Sequence, residues 1–512
     1  MLLFLVFAFT AVTAIYSFYA WHAGYWKRRG IPGPPPKLFF GNFLEMDKLE
    51  KPAVLVFPEW TKKYGKVFGV QEGIRKVLVI SDLDMLQELF VRKFDHFHGR
   101  KMMPMAPNPD TDPRIHVFNA RGARWKRLRV LTNPSFSVNS LKKMRHTVED
   151  SAKVLLGHME KHANTGKGFD IHKFYQEYTM DVIARVAMGQ KGSRQFDNPA
   201  VALVLETFMR RVDSPIFYWI LGTPFWAEIT RKLFVMTAQL RGSPFLKVIK
   251  LIESAVEERR RQRSAQTEWH EPNDFIDLFL DAEAEVELDG KEIDKNYVKV
   301  ERKLGNQEIV AQCFVFLLAG FDTTANSLSY VTYLLATHPE KLERVVEELD
   351  QVLGDEKEFT YDMLNELKYL DNVVKEGLRM YPLGAFANSR TCMKPTTLGN
   401  VEVEEGTLVV SDPWTIHYDK EIWGRDADEF VPERWDEERP RHLLAWFPFG
   451  VGPRQCIGMR LAFLEEKMAI AHLLRNYTIS AGAETEKKLN LIGNFTVSPA
   501  SVTIYLNKRE KH

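Results

Sequence analysis

Apolar residues run almost unbroken from the start of the chain. Met1–Ala20 is apolar apart from Thr10, Thr13 and Ser17, and no Asp, Glu, Lys or Arg occurs before Lys27. About 20 apolar residues cross a bilayer, so this stretch predicts a membrane-spanning helix. Lys27, Arg28 and Arg29 follow, and positive charge keeps that flank cytoplasmic. A cleaved signal peptide would instead show a basic leading region and a shorter apolar run. Ile31-Pro-Gly-Pro-Pro-Pro36 is a stiff spacer. The organisation read from this pattern is an anchor over 1–26, a basic stop and Pro-rich hinge over 27–36, and one folded body over 37–512.

Within the body the periodicities differ from stretch to stretch. Val67–Ile80 alternates, is rich in Val and Ile, and contains Glu72-Gly73, which predicts a hairpin. Lys101–Phe118 holds Met102, Met103, Met105 and several prolines without a period, so it reads as an adaptable loop suited to facing a substrate. Leu203–Trp226 is an aromatic cluster interrupted by Pro215, Gly222 and Pro224, either core or a surface that dips into lipid headgroups. Phe245–Arg263 predicts a helix with a charged end, and Asp281–Lys303 a charged loop. Gln307–Thr337 has no proline and an apolar middle, and predicts one long buried helix. Asp371–Met380 and the run after Gly458 also carry helical spacing.

Composition narrows the classes. With 45% hydrophobic and 12% aromatic residues, the 512-residue chain can fill one large core. A net charge of +1 gives no field that would favour nucleic acid. Cys313, Cys392 and Cys456 are the three cysteines. They are too few for a disulfide framework or a four-cysteine zinc or iron–sulfur site.

Chemistry concentrates in four places. Phe447-Pro-Phe-Gly-Val-Gly-Pro-Arg-Gln-Cys-Ile-Gly458 holds Cys456 in a loop relieved by Gly450, Gly452 and Gly458, just ahead of a helix N-terminus. The loop admits a buried structural cysteine. It also admits a lone thiolate ligand to a metal centre that brings its other ligands itself, which means haem. Trp125 and Arg129 lie at i and i+4 on a strongly basic helix, which reads as an anion site or as a solvated face. Ala319-Gly-Phe-Asp-Thr-Thr324 places Asp322, Thr323 and Thr324 inside the long apolar helix. Thr323 can bond to the carbonyl of Ala319 one turn earlier and open a groove, and Gly320 would allow a flat ligand close. The alternative is a satisfied polar kink. Glu376 and Arg379 sit at i and i+3, a spacing that alone describes an ordinary salt bridge.

Taken in order, these motifs resemble the cytochrome P450 family. Phe449-x-x-Gly-x-Arg454-x-Cys456-x-Gly458 is similar to its haem-binding loop, and the Ala319–Thr324 segment to its oxygen-activation segment. Trp125-x-x-x-Arg129 is similar to its propionate clamp. Glu376-x-x-Arg379 with Pro432-Glu-Arg434-Trp435 is similar to its buried charged triad, with Trp435 where Phe is usual. The resemblance implies a mostly helical fold with a smaller β-rich part and an N-terminal transmembrane helix. It implies haem b (iron protoporphyrin IX) with Cys456 as axial ligand, and Trp125, Arg129, Arg390, Arg454, Phe449, Gly458 and Ala319 around it. Asp322 and Thr323 would deliver protons. Glu376, Arg379 and Arg434 would lock the scaffold. Ala385, Phe386 and the Asn494–Thr496 turn would line the pocket, although the Tyr381–Arg390 stretch is smaller and more polar than the family's.

The activity so implied is a monooxygenase placing one oxygen atom of O2 into a lipophilic substrate. The pattern is closest to the drug- and steroid-oxidising and thromboxane-synthase-like branch of microsomal enzymes. No flavin or nicotinamide segment is visible, so NADPH–cytochrome P450 reductase and cytochrome b5 are the implied partners. They would dock on the basic side, where Arg124 and Arg127 are expected to be free. The body would face the cytoplasm from the endoplasmic reticulum membrane, leaving the sequons at Asn476 and Asn494 bare. The competing readings are a peroxide isomerase or dehydratase that needs no reductase, and a non-catalytic haem or steroid binder.

Overall fold

The apolar N-terminal run forms helix α1 (Leu2–Ala23), with none of its residues buried. The computed structural model describes all residues except 47, 49–50, 210–214, 224–225, 266–273, 283–303, 437–441, 494 and 510–512, and excepting the side chains of 208–209, 215, 217–218 and 385. Directly after α1, Tyr25 and Trp26 are buried. Trp26 donates its indole N–H to the Val70 carbonyl at 2.9 Å. The folded body therefore reaches back beyond residue 37, into the stretch that hydropathy alone assigns to the anchor.

The predicted hairpin forms as β1 (Val67–Glu72) and β2 (Arg75–Ile80). It is extended by β3 (Ser389–Thr391) and β4 (Leu408–Ser411) in the order β1-β2-β4-β3. The β2–β4 pairing is parallel. Parallel neighbours need a crossover, and here that crossover contains most of the helical body.

That body comprises α2 (Gly122–Thr132), α3 (Val138–Met159), α4 (Ile171–Met188), α5 (Ala227–Leu240), α6 (Pro244–Ser264), α7 (Asn306–Thr337), α8 (Pro339–Leu353) and α9 (Lys368–Met380). After the sheet come α10 (Met459–Asn476) and the antiparallel strands β5 (Tyr477–Ser480) and β6 (Thr503–Lys508). The Met-rich stretch 101–118 carries no helix or strand. The aromatic cluster folds partly as short helices over Pro199–Met209 and Pro215–Gly222. Most of the predicted charged loop lies outside the described residues.

The predicted long helix, α7, is the axis of the core and packs along α4. Its buried polar side chains find partners in that seam, as buried polar groups must. Thr179 donates to the Phe321 carbonyl at 2.8 Å, His172 Nδ1 and Ser329 Oγ share a hydrogen bond at 2.8 Å, and Tyr175 and Thr332 hydroxyls meet at 2.7 Å. Gly320 faces the same seam. A Cβ there would lie 2.8 Å from Ile183 Cδ1, so its missing side chain admits a neighbouring helix and not a flat ligand.

The start of α7 is fixed to α2. Glu308 accepts from Arg124 Nε at 3.0 Å and from Arg127 Nη2 at 2.7 Å. The two arginines expected to be free for an acidic partner are thus spent inside the protein, because a buried carboxylate at a helix N-terminus recruits them.

Gly320→Ala is expected to lower stability by about 1–3 kcal/mol through overpacking against Ile183. In a double-mutant cycle read by thermal unfolding, Ile183→Ala should make the Gly320→Ala cost smaller; strict additivity would show that the two do not meet.

Candidate active site

Cys456 ends a loop folded back on itself, with its N–H donated to the Phe449 carbonyl at 2.8 Å. Phe449 packs on Phe463 of α10. Gly452 has a φ of +76°, and a methyl group there would lie 2.3 Å from the Phe90 carbonyl oxygen, so no other residue fits. Gly458 differs from the sequence expectation. Its φ is −86° and a Cβ would meet only Phe136, at an ordinary 3.6 Å, so the backbone does not demand glycine there. Cys313 and Cys392 are buried, whereas the Cys456 side chain is accessible although protein surrounds it. That burial pushes its thiol up. The N–H groups of Gly458 and Met459 and the cations Arg129 and Arg100 pull it back part of the way.

Around the sulfur stands a cluster of guanidiniums. Arg454, 3% exposed, donates to the carbonyls of His98, Val117, Phe118 and Ala120 and lies 4.5 Å over the Trp125 ring. Arg390, 1% exposed, donates to the Ser389 carbonyl at 2.8 Å. Arg100, which sequence reading missed, donates to the Arg454 carbonyl at 2.9 Å and lies 4.0 Å over Phe118. Burial pushes Arg390 and Arg454 well below the usual arginine range and Arg100 down to about 10. The Cys456 sulfur is the counter-charge felt by Arg100 and Arg129. No ion pair joins any of these arginines to a carboxylate among the described residues. In Arg100, Arg390 and Arg454 the buried Nε has no partner.

Behind the loop lies the charged triad. Arg379 donates to both oxygens of Glu376, at 2.9 and 2.8 Å, and Arg434 Nε donates to Glu376 Oε1 at 2.8 Å. Trp435 donates its indole N–H to the same carboxylate at 3.1 Å, a bond that Phe could not make. Arg379 Nη1 also donates to the His417 carbonyl at 2.6 Å. The His417 ring lies within hydrogen-bond distance of the Arg379 carbonyl at 3.0 Å and accepts from the Phe447 N–H at 3.5 Å. Burial holds its pKa at about 3, so a neutral imidazole ties the triad to the start of the cysteine loop.

On α7 the faces diverge. Ala319 is exposed in the otherwise buried middle of the helix, with Val315, Leu318 and Thr323 half-buried beside it, so protein leaves this face uncovered. Thr323 donates to the Ala319 carbonyl at 2.6 Å, the predicted back-bond. Asp322 is fully buried and turns elsewhere. Its Oδ2 accepts from Asn326 at 2.9 Å and from the Thr496 hydroxyl, and no hydrogen bond joins it to Thr323.

Comparison with known proteins decides what this arrangement belongs to. The Cytochrome P450 family model matches residues 31–506. The chain belongs to the cytochrome P450 family. Relatives in Caenorhabditis elegans include cytochrome P450 cyp-13B1, 46% identical over 496 residues that span 96% of this chain and 96% of that protein. Cytochrome P450 CYP13A2 is 45% identical over 496 residues, spanning 96% of this chain and 95% of the relative. Cytochrome P450 CYP13A1 is 46% identical over 500 residues, spanning 96% of each. These names carry the family and no substrate.

A cytochrome P450 holds haem through a cysteine thiolate, and the residues of this P450 fit that group. Buried cations without anions are costly. Haem brings two carboxylates, and three buried Nε–H groups without protein partners match them as donors. The sulfur that burial destabilises as an anion gains a cationic partner in iron. Arg454 has already committed both terminal nitrogens to carbonyls, so it reaches an added carboxylate through Nε alone.

Sequence reading missed Arg100 and His417, and it named the turn of Thr496 without its bond to Asp322. Arg100 lies in an aperiodic loop and His417 ends a one-turn helix, where spacing gives no signal.

Burial raises the Asp322 carboxyl to about 6 from 3.8, against the hydrogen bonds from Thr496 and Asn326. A carboxyl raised in the folded state stabilises the fold fully below its unfolded value, and that contribution is lost as pH rises through the folded value. Relative to Asp322→Asn, the wild-type melting temperature should therefore fall between pH 3.8 and about 6 and stay level above. A constant difference across that window would show that Asp322 titrates normally.

Proposed function

We propose that this P450 is a membrane-anchored monooxygenase that places one oxygen atom of O2 into a lipophilic substrate. The observation that carries this reading is a back-bond on α7. Thr323 is held on the Ala319 carbonyl at 2.6 Å, on the face of the helix middle that protein leaves uncovered. A hydroxyl poised there can hold and pass a proton, which oxygen reduction requires. Simple ligand binding or peroxide rearrangement gives it no work. Bound haem supplies the redox chemistry, with electron density from the Cys456 sulfur. Cys456 would provide the thiolate ligand. Arg100, Arg129, Arg390 and Arg454, with Trp125, would neutralise and orient the propionates. Phe449 shields the sulfur side, and the Glu376–Arg379–Arg434 triad with His417 keeps the loop in place. Ala319, Leu318 and Val315 bound the apolar side of the cavity.

Electrons come from NADPH through cytochrome P450 reductase, with cytochrome b5 as a second donor. Lys126 on α2 and Arg460 on α10 are exposed and take the docking role that Arg124 and Arg127 cannot. The 22 residues of α1 span about 33 Å as a helix, enough for a bilayer core of about 30 Å. Trp219, Ile229, Leu233 and Leu240 are exposed apolar side chains. Phe39 lies against both Tyr19 of α1 and Trp219, which supports a position of that surface beside the membrane. With the body on the cytoplasmic face of the endoplasmic reticulum, the exposed Asn476 stays unglycosylated.

Incubation with reductase, NADPH and labelled dioxygen should give product carrying one labelled oxygen atom. Thr323→Ala should consume NADPH at a similar rate while releasing mostly peroxide. Product formed without NADPH, or unchanged coupling in Thr323→Ala, would overturn the monooxygenase reading or the role of Thr323 respectively.

A further inference from the structure

Asp322, Asn326 and Tyr330 follow one another at i, i+4 and i+8 and so share a face of α7. All three grip one short hairpin, formed by Leu491–Ile492 and Ser498–Pro499. Thr496 donates its hydroxyl to Asp322 Oδ2. Asn326 donates to Asp322 at 2.9 Å and to Ser498 Oγ at 2.8 Å, and Tyr330 donates to the Val497 carbonyl at 2.7 Å. On its other side, Val497 donates its N–H to the Leu383 carbonyl at 3.0 Å. The hairpin is thus pinned between α7 and the segment that carries Phe386. Phe495, 40% exposed, stands beside Thr496 and meets Phe386 edge-on, with ring centroids 5.6 Å apart at 81°.

We propose that Asp322 is a positioning residue whose carboxylate latches the hairpin and so fixes Phe495 against Phe386 as a wall of the substrate pocket. This rests on the reading of the cavity beside Ala319 as the substrate pocket. The geometry favours positioning over proton delivery. The carboxylate accepts from Thr496 of the hairpin and from Asn326, which itself donates to Ser498 of the hairpin, whereas the Thr323 hydroxyl is bonded to Ala319; a carboxylate acceptor makes a stronger bond to Thr496 than a neutral one would. The edge-on pair then selects substrates by shape, since aromatic rings present an apolar body with little freedom.

The test uses the full-length, haem-loaded protein. Hydrogen exchange is measured at the amides of residues 496–498, and 4-phenylimidazole and imidazole are titrated spectrally as probes of pocket shape. Asp322→Ala and Thr496→Val should each speed exchange by about tenfold, the effect of losing one charged hydrogen bond, and shift the affinity ratio of the two azoles in the same direction. Asp322→Asn keeps an acceptor oxygen without the charge and should fall between wild type and Asp322→Ala in exchange and ratio. Wild-type exchange in both Asp322→Ala and Thr496→Val overturns the latch. Asp322→Asn exchanging more slowly than wild type would also overturn it, since a neutral acceptor would then hold the hairpin better than the carboxylate. If the wild type gives no azole spectrum, the haem reading fails while the exchange data still decide the latch.

Discussion

Arg100, Arg129, Arg390 and Arg454 crowd around one cysteine with no carboxylate paired to them. Like charges in a protein interior repel strongly, and a fold tolerates them only when an anion answers them. The surrounding structure is shaped to hold this arrangement. Carbonyls from 98 and 117–120 turn in to receive Arg454. The Phe118 and Phe90 rings lie under Arg100 and Arg390. The cysteine loop is braced from behind by a triad whose two arginines share Glu376, with Asp426 as the second anion for Arg434. One ionic group is complete within the chain and acts as scaffold, while the other is incomplete and acts as a binding site.

Helix α7 divides three tasks among its faces. One face, through Gly320, closes against α4 and sets the distance between the two central helices. A second, with Ala319 and Thr323, is left uncovered by protein. The third, from Asp322 to Tyr330, holds the hairpin that carries Phe495. The polar residues that look costly in an apolar helix thus bond on different sides of it, although one oxygen each of Asp322 and Asn326 stays without a partner.

Much of this was legible in the residues. The apolar N-terminal helix, the hairpin at Val67–Ile80, the helices near 245–263 and 307–337, and the Thr323 back-bond all follow from period, breakers and side-chain chemistry. Helix α4 was not assigned, because it is buried on nearly every face and so lacks the one-sided stripe that marks a surface helix. The roles of Arg124 and Arg127 were misjudged because a cation run says nothing of Glu308, far away in sequence. Gly320 was given to a ligand because sequence shows a gap but not what fills it. Asp322 and Thr323 were paired through the family's acid–alcohol segment; neighbouring residues on a helix point about 100° apart, and here the two side chains bond to different partners.

The central claim is that the guanidinium cluster exists to bind the carboxylates of haem. The direct measurement compares the affinity of the apoprotein for haem with its affinity for haem dimethyl ester, in which both carboxylates are uncharged. Losing charged hydrogen bonds at both should weaken binding at least about 100-fold, and replacing Arg100 and Arg390 by glutamine should shrink that gap. Equal affinity for the two forms would contradict the account.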